Sequence, residues 1–166
     1  MNHRIIVTGT AVLVLALGLG MALAKANFTG TWVMDKSKSE GEIVATEQTM
    51  TITQDSDTLT LQNKIVTDQG ELLISDSYTI NGKEVDFTQK RNEIVGKGKR
   101  TAKWSADGNG FDSVEDITVE SPDGQSITQH VTRKWVMTAD GKSFTVELDS
   151  KGPNGSQHTK RLFVKK

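Results

Sequence analysis

From residue 27 onward, apolar and polar residues alternate with a period of two, and no long stretch carries a helical period. Runs dense in Thr, Val and Ile are broken by turn-forming residues, the pattern of half-buried strands joined by hairpins. The spacing predicts strands over 28–35, 48–54, 58–67, 72–80, 83–90, 98–106, 111–120, 125–138, 142–150 and 157–165. The separators are Asp55-Ser56-Asp57, Asp68-Gln69-Gly70, Asn81-Gly82, Asp107 to Gly110, Pro122-Asp123-Gly124, Asp140-Gly141 and Gly152 to Ser156. Residues 36–47 fit either a short helix or a loop.

The turns can be checked against the side chains they bring together. A two-residue turn at Asp140-Gly141 pairs Met137 with Phe144, Trp135 with Val146 and Arg133 with Leu148. A similar turn at Asn81-Gly82 pairs Ile80 with Lys83, Tyr78 with Val85 and Asp76 with Phe87. Apolar residues then share one face, and a slip of one residue would scatter them over both. Short strands joined by tight turns favour an all-β chain: an antiparallel up-and-down β-barrel of about 8–10 strands, or a sandwich.

The first residues break the alternation. "MNHR" supplies a positive start, residues 5–24 are an apolar run, and Ala22-Leu23-Ala24 and Ala24-Lys25-Ala26 follow the small-x-small pattern of a signal-peptide cleavage site. The expectation is a signal peptide over 1–24, cut after Ala24 or Ala26, ahead of one domain over 25–166 that is exported to the periplasm or secreted. If the leader stays uncleaved, it is the chain's one expected membrane contact, and the domain still lies outside.

Composition narrows the function classes. The 166 residues carry 20 Lys+Arg against 21 Asp+Glu, and this near-neutral balance offers no bulk field for nucleic acid. The absence of cysteine excludes disulfides, a thiol nucleophile and thiolate metal sites. An exported domain of this length must therefore depend on its core, which it is long enough to build.

Following each strand's apolar parity inward collects Phe28, Trp32, Met50, Leu59, Leu61, Tyr78, Phe87, Trp104, Phe111, Trp135, Phe144 and Val146, among others. The same parity draws in Asn63, Asp76, Gln89, Arg100, Glu115, Gln129 and Arg133. Polar groups are costly in a packed core but acceptable around a cavity. A loop at Asp107–Gly110 sets Glu115 opposite Ala102 and diagonal to Arg100. The next turn sets it near Val131 and diagonal to Arg133. Arg100–Glu115–Arg133 is then either an internal ion-pair cluster with one positive charge in excess or a grip for an anionic head group.

Gly30-Thr31-Trp32 on the first strand resembles the Gly-x-Trp opening of the calycin superfamily, which holds lipocalins, fatty-acid-binding proteins and avidins. With "FTGTWVMDKSKS" near the start and "WVMTADGKSFTV" before the last strand, the chain resembles small exported bacterial lipocalin-like proteins of unassigned function. The resemblance implies a barrel closed at one end by Trp32, with an arginine from a late strand, Arg161 or Arg133, against it. Arg161 is assigned to that closure. Met34 and Asp35 stand where a biotin site would need Asn and Ser. Arg161-Leu162-Phe163 lacks the tyrosine of the Arg-x-Tyr motif in fatty-acid-binding proteins.

No catalytic constellation is visible. His130 and His158 are scattered, no nucleophile elbow or zinc-protease histidine pair occurs, and "GKGKRT" lacks phosphate-loop spacing. Neither a cofactor nor a metal is expected. The expected function is a monomeric, non-enzymatic barrel that binds a small apolar or amphipathic molecule, anions included, in its interior. Tyr78, Phe87, Arg100, Trp104, Glu115, Gln129, Arg133 and Trp135 form the expected site. The rival is a structural or envelope interaction module with a filled barrel.

Overall fold

Strand alternation closes on itself in three dimensions. The computed structural model describes residues 24–120, 124–153 and 155–166. The leader, all but Ala24, and the turn at Pro122-Asp123 lie outside the described residues. Ten strands run in sequence: β1 Gly30–Glu40, β2 Glu47–Asp55, β3 Thr58–Thr67, β4 Gly70–Thr79, β5 Glu84–Arg91, β6 Ile94–Trp104, β7 Gly110–Glu120, β8 Ser126–Met137, β9 Ser143–Gly152 and β10 Gly155–Lys165. Each pairs antiparallel with its neighbours, and β1 also pairs with β10, so the sheet is a closed up-and-down barrel without free edges. No helix forms among the described residues: β1 runs on to Glu40, and residues 41–46 are a loop.

The register shows where local signals sufficed. β8 and β9 pair Met137 with Phe144, Trp135 with Val146 and Arg133 with Leu148, as the turn at Asp140-Gly141 requires. β6 and β7 differ from expectation by two residues: Ala102 pairs with Ser113, and Arg100 lies directly opposite Glu115. Gly110 is the reason. It is a strand residue pressed on β8, where a Cβ would sit 1.8 Å from the Trp135 carbonyl, so the loop ends one residue earlier than its sequence suggests.

β4 and β5 also depart from the expected pairing, again by two residues. Their ladder is confined to Ile74↔Arg91 and Ser75↔Lys90. Toward the hairpin, the Ile80 N–H turns instead to the Asp57 carbonyl at 2.6 Å, and Gly82 donates to the Ala102 carbonyl. The guanidinium of Arg100, from β6, takes the Ser77 carbonyl. A side chain from a third strand thus replaces part of the β4–β5 ladder.

The two ends of the barrel are built differently. At the end where β1 starts, residues 24–29 cross the opening before entering the sheet. Ala26 donates to the Gly108 carbonyl, Gln54 grips Ala26 and Phe28, and the Trp32 indole N–H donates to the Phe28 carbonyl at 2.8 Å. Beneath this segment Phe28, Trp32, Phe111, Trp135, Phe144 and Phe163 pack as one aromatic cluster, with Phe144 against four of the others at 4.8–5.5 Å. At the opposite end β1 and β2 part beyond Val33↔Thr49. The 41–46 loop covers the gap, tucking Ala45 inside. Gly41, at φ 84°, lets this loop approach β10, since a Cβ there would sit 2.6 Å from the His158 carbonyl.

Candidate functional site

Because the aromatic cluster fills only one end, a cavity of about 350 Å³ remains toward the other. Met50, Tyr78, Trp135 and Phe163 form its floor, and Leu61, Ile65, Leu72, Ile74, Val146 and Leu148 its apolar walls. Between them stand Gln48, Asn63, Asp76, Gln89, Arg91, Arg133, Gln157, Thr159 and Arg161. Strand parity explains this mixture: each polar residue shares the inward face of its strand with an apolar one two to six positions away. A larger trough of about 530 Å³ between Asp86 and Lys99 lies on the outer face of β5 and β6 and is shallow and open.

A charge network lies along one wall. Arg100 is 1% exposed and is sandwiched between the rings of Tyr78 and Phe87, 3.9 and 3.8 Å from their centroids. Its Nη1 and Nη2 donate to both oxygens of Asp76 at 2.9 and 2.8 Å, a forked pairing that arginine geometry favours. Nη2 also reaches Glu115 at 3.1 Å, and Arg133 donates to the other Glu115 oxygen. Gln89 Nε2 donates to Asp76 at 2.7 Å, and Ser113 to Glu115 at 3.1 Å. Two arginines thus meet two carboxylates, and Asp76 removes the positive excess expected of Arg100–Glu115–Arg133.

Burial and charge compete at Glu115, Arg100, Arg133 and Tyr78. Burial alone would raise the Glu115 carboxyl, but Arg133 and Arg100 outweigh it, and the net shift is downward. Burial opposes the Arg100 and Arg133 charges too, yet the neighbouring carboxylates carry both guanidiniums upward. Burial pushes the Tyr78 hydroxyl far above its usual range. None of these groups is poised to exchange a proton near neutrality. Among the described residues no group of three His, Asp or Glu side chains is placed to hold a metal.

The expected site residues divide into three groups. Tyr78, Arg133 and Trp135 face the cavity. Phe87, Arg100 and Glu115 belong to the wall behind it, with Arg100 and Glu115 almost fully buried. Trp104 and Gln129 are elsewhere. Trp104 packs at the closed end, donating to Asp57 at 2.9 Å beneath the Lys25 ammonium, because β6 leaves the barrel interior there. Gln129 lies beside Gly152 near the rim. Trp32 sits in the closed end, fully buried, but Arg161 does not meet it: the register places Lys165, not Arg161, across from Trp32, with its ammonium 5.3 Å from the ring centroid. Arg161 instead donates to the Glu40 and Glu42 carbonyls, pinning the 41–46 loop. Parity had marked Asn63, Asp76 and Gln89 as inward without assigning them to the site. Arg91, Gln48 and Thr159 are additions, and Arg91 was hidden by ending its strand one residue early.

A closed antiparallel meander with one plugged end is a lipocalin-like barrel fold. It is similar to the crystal structure of zebrafish ileal bile acid-binding protein complexed with cholic acid, with a TM-score of 0.50 and 14% identity over 84% of this chain and 98% of that one. At that identity the likeness extends to the fold alone. No protein-family model and no curated protein sequence matches the chain.

Proposed function

We propose that this chain is an exported, monomeric, non-enzymatic carrier that holds a small amphipathic molecule inside its barrel. The observation that carries the reading is the half-filled interior: one end is packed with aromatic rings, while a cavity of about 350 Å³ lies at the other. That volume falls within the usual range for small-molecule sites, and its apolar walls with a few polar groups have the usual composition. A closed sheet offers no edge strand to a partner, which supports a monomer. The amphipathic cholic acid of the similar barrel supports the ligand class. The leader pattern over residues 1–24 supports export and cleavage.

The rival structural module calls for a filled barrel, so the cavity weighs against it. Native mass spectrometry of residues 25–166, purified gently from an exporting host, separates the two. A carrier shows a reproducible added mass that is lost when Leu148→Trp fills the cavity and kept in an outward-facing Thr51→Ala control. A bare mass that stays unchanged after incubation with a lipid extract favours the structural module.

A further inference from the structure

The cavity's charges are unequally satisfied. It is lined by three arginines and one carboxylate, and that carboxylate, Asp76, is already held by Arg100. Arg133 is paired with Glu115. Arg161 spends its terminal nitrogens on the Glu40, Glu42 and Lys160 carbonyls. Arg91 remains. Its Nε donates to Gln89 Oε1 at 2.7 Å, but Nη1 and Nη2 have no acceptor among the described residues, and no carboxylate pairs with it. It is the last residue of β5, beside the turn at the open end, and its parity with Gln89 and Phe87 points it inward.

From this geometry we infer that Arg91 is the anchor for a single acid group on the carried molecule, which lies with its acid at the open end and its apolar body toward Tyr78, Trp135 and Phe163. The inference rests on the carrier reading and specifies its ligand as a compact amphipathic monoanion. The deeper arginines are poor competitors for that acid. Releasing Arg100 would leave the buried Asp76 without a cation, and releasing Arg133 would leave the buried Glu115 with Arg100 alone, each costing more than an exposed pair returns. Arg91 has nothing to release. Burial, and after it the positive charge of Arg133, already disfavour its guanidinium, so an incoming anion relieves an existing strain. The floor is aromatic and the rim cationic, so a tail-first ligand meets matching chemistry at both ends. With each water-sized volume near 30 Å³, the cavity holds about a dozen non-hydrogen atoms, the size of a medium-chain acid.

Decanoate and decanol, of equal chain length, test the anchor by calorimetry on delipidated residues 25–166. The wild type is expected to prefer decanoate. Arg91→Gln should weaken decanoate about tenfold or more, the usual effect of losing a charge-assisted hydrogen bond, and leave decanol unchanged. Arg91→Lys should restore part of the loss, which separates charge from misfolding. A decanoate bearing bromine at its tail carbon should quench tryptophan emission more than one brominated beside the carboxylate. A decanoate preference that survives Arg91→Gln but disappears in Arg133→Gln overturns the anchor and leaves the carrier reading intact. The reverse order of bromine quenching overturns the orientation. A wild type that takes up neither probe overturns this inference together with the carrier reading for this ligand size.

Discussion

Phe144 and Leu148 lie on the same strand, four residues apart, and face the same interior, yet they meet different surroundings. Phe144 is fully buried among the rings of Phe28, Trp32, Trp135 and Phe163. Leu148 is half-buried on the wall of a cavity. The pair stands for the two ends of the barrel. One is a core in the ordinary sense, where each ring supports the next and the 24–29 segment seals the opening. The other has the same alternation, but polar residues interrupt the apolar wall and no segment fills the space. Facing inward and being packed are thus separate properties, and the second depends on what the opposite strands contribute.

Truncating the two residues gives the largest expected contrast. Phe144→Ala removes the centre of the aromatic cluster, and urea unfolding should register a loss of about 4 kcal/mol, the usual cost of emptying a fully packed aromatic site. Leu148→Ala only widens an existing space, so its loss should be about 1 kcal/mol, because few packing partners are forfeited. Equal losses at the two positions would mean that the open end is packed as tightly as the closed one.

The charged wall between the ends comes next. Glu115→Gln leaves Arg133 without its carboxylate and Arg100 with only Asp76. Breaking a buried pair from one side costs about 3 kcal/mol. The pH dependence has a definite sign. The native carboxyl of Glu115 is held below its unfolded value, so its contribution is fully present above the unfolded pKa of about 4.3 and is lost as pH falls through the lower native value. As pH falls from about 5 through the native carboxyl's range, the wild type should therefore lose more stability than Glu115→Gln, and the gap between their melting temperatures should close. Parallel curves across that window would show that Glu115 does not titrate as a paired group.

How much of this was legible depended on whether one strand or three decided the outcome. The β8–β9 register follows from a local turn and three apolar pairs, and both signals lie in one hairpin. The β4–β5 register could not be found that way, because Arg100 on β6 draws off the Ser77 carbonyl and wedges between Tyr78 and Phe87. Parity alone placed Asn63, Asp76, Gln89, Arg100, Glu115 and Arg133 inside. It could not separate those facing the cavity from those buried behind it, since that division rests on the joint register of β4, β6, β7 and β8. Trp104 misled for a related reason: an aromatic at the right parity still leaves the interior when its strand runs out at the barrel end. Arg91 was missed by a single residue of strand length, the usual uncertainty of an element's boundary.

The sealing segment offers a smaller effect and bears on processing. Lys25 pairs with Asp57, and Ala26 makes two hydrogen bonds, from its N–H to Gly108 and to its carbonyl from Gln54. A chain starting at Asn27 loses all three, and at about 1 kcal/mol for each backbone hydrogen bond it should be about 2 kcal/mol less stable than one starting at Lys25. The ion pair, largely exposed, adds little. On the proposed export route, a mature chain cut after Ala24 should therefore melt higher than one cut after Ala26. A mature chain that begins at Asn27 and melts no lower would remove residues 25 and 26 from the seal.

The smallest change is expected at the open end, where it runs in the opposite direction. Gln48 Nε2 donates to Asn63 Oδ1 at 3.1 Å across β2 and β3, and both side chains line the cavity. Replacing both polar partners with apolar groups of similar shape removes a hydrogen bond without stranding either end, which is nearly neutral or slightly stabilising. The double variant Gln48→Leu, Asn63→Leu should thus gain between zero and about 1 kcal/mol in urea unfolding while narrowing the space left for a ligand. Retained Gln and Asn at this site then act for binding at no benefit to the fold, the reverse of Phe144. A loss of more than about 1 kcal/mol would instead make the pair part of the framework, and the open end would be held by polar contacts as the closed end is held by rings.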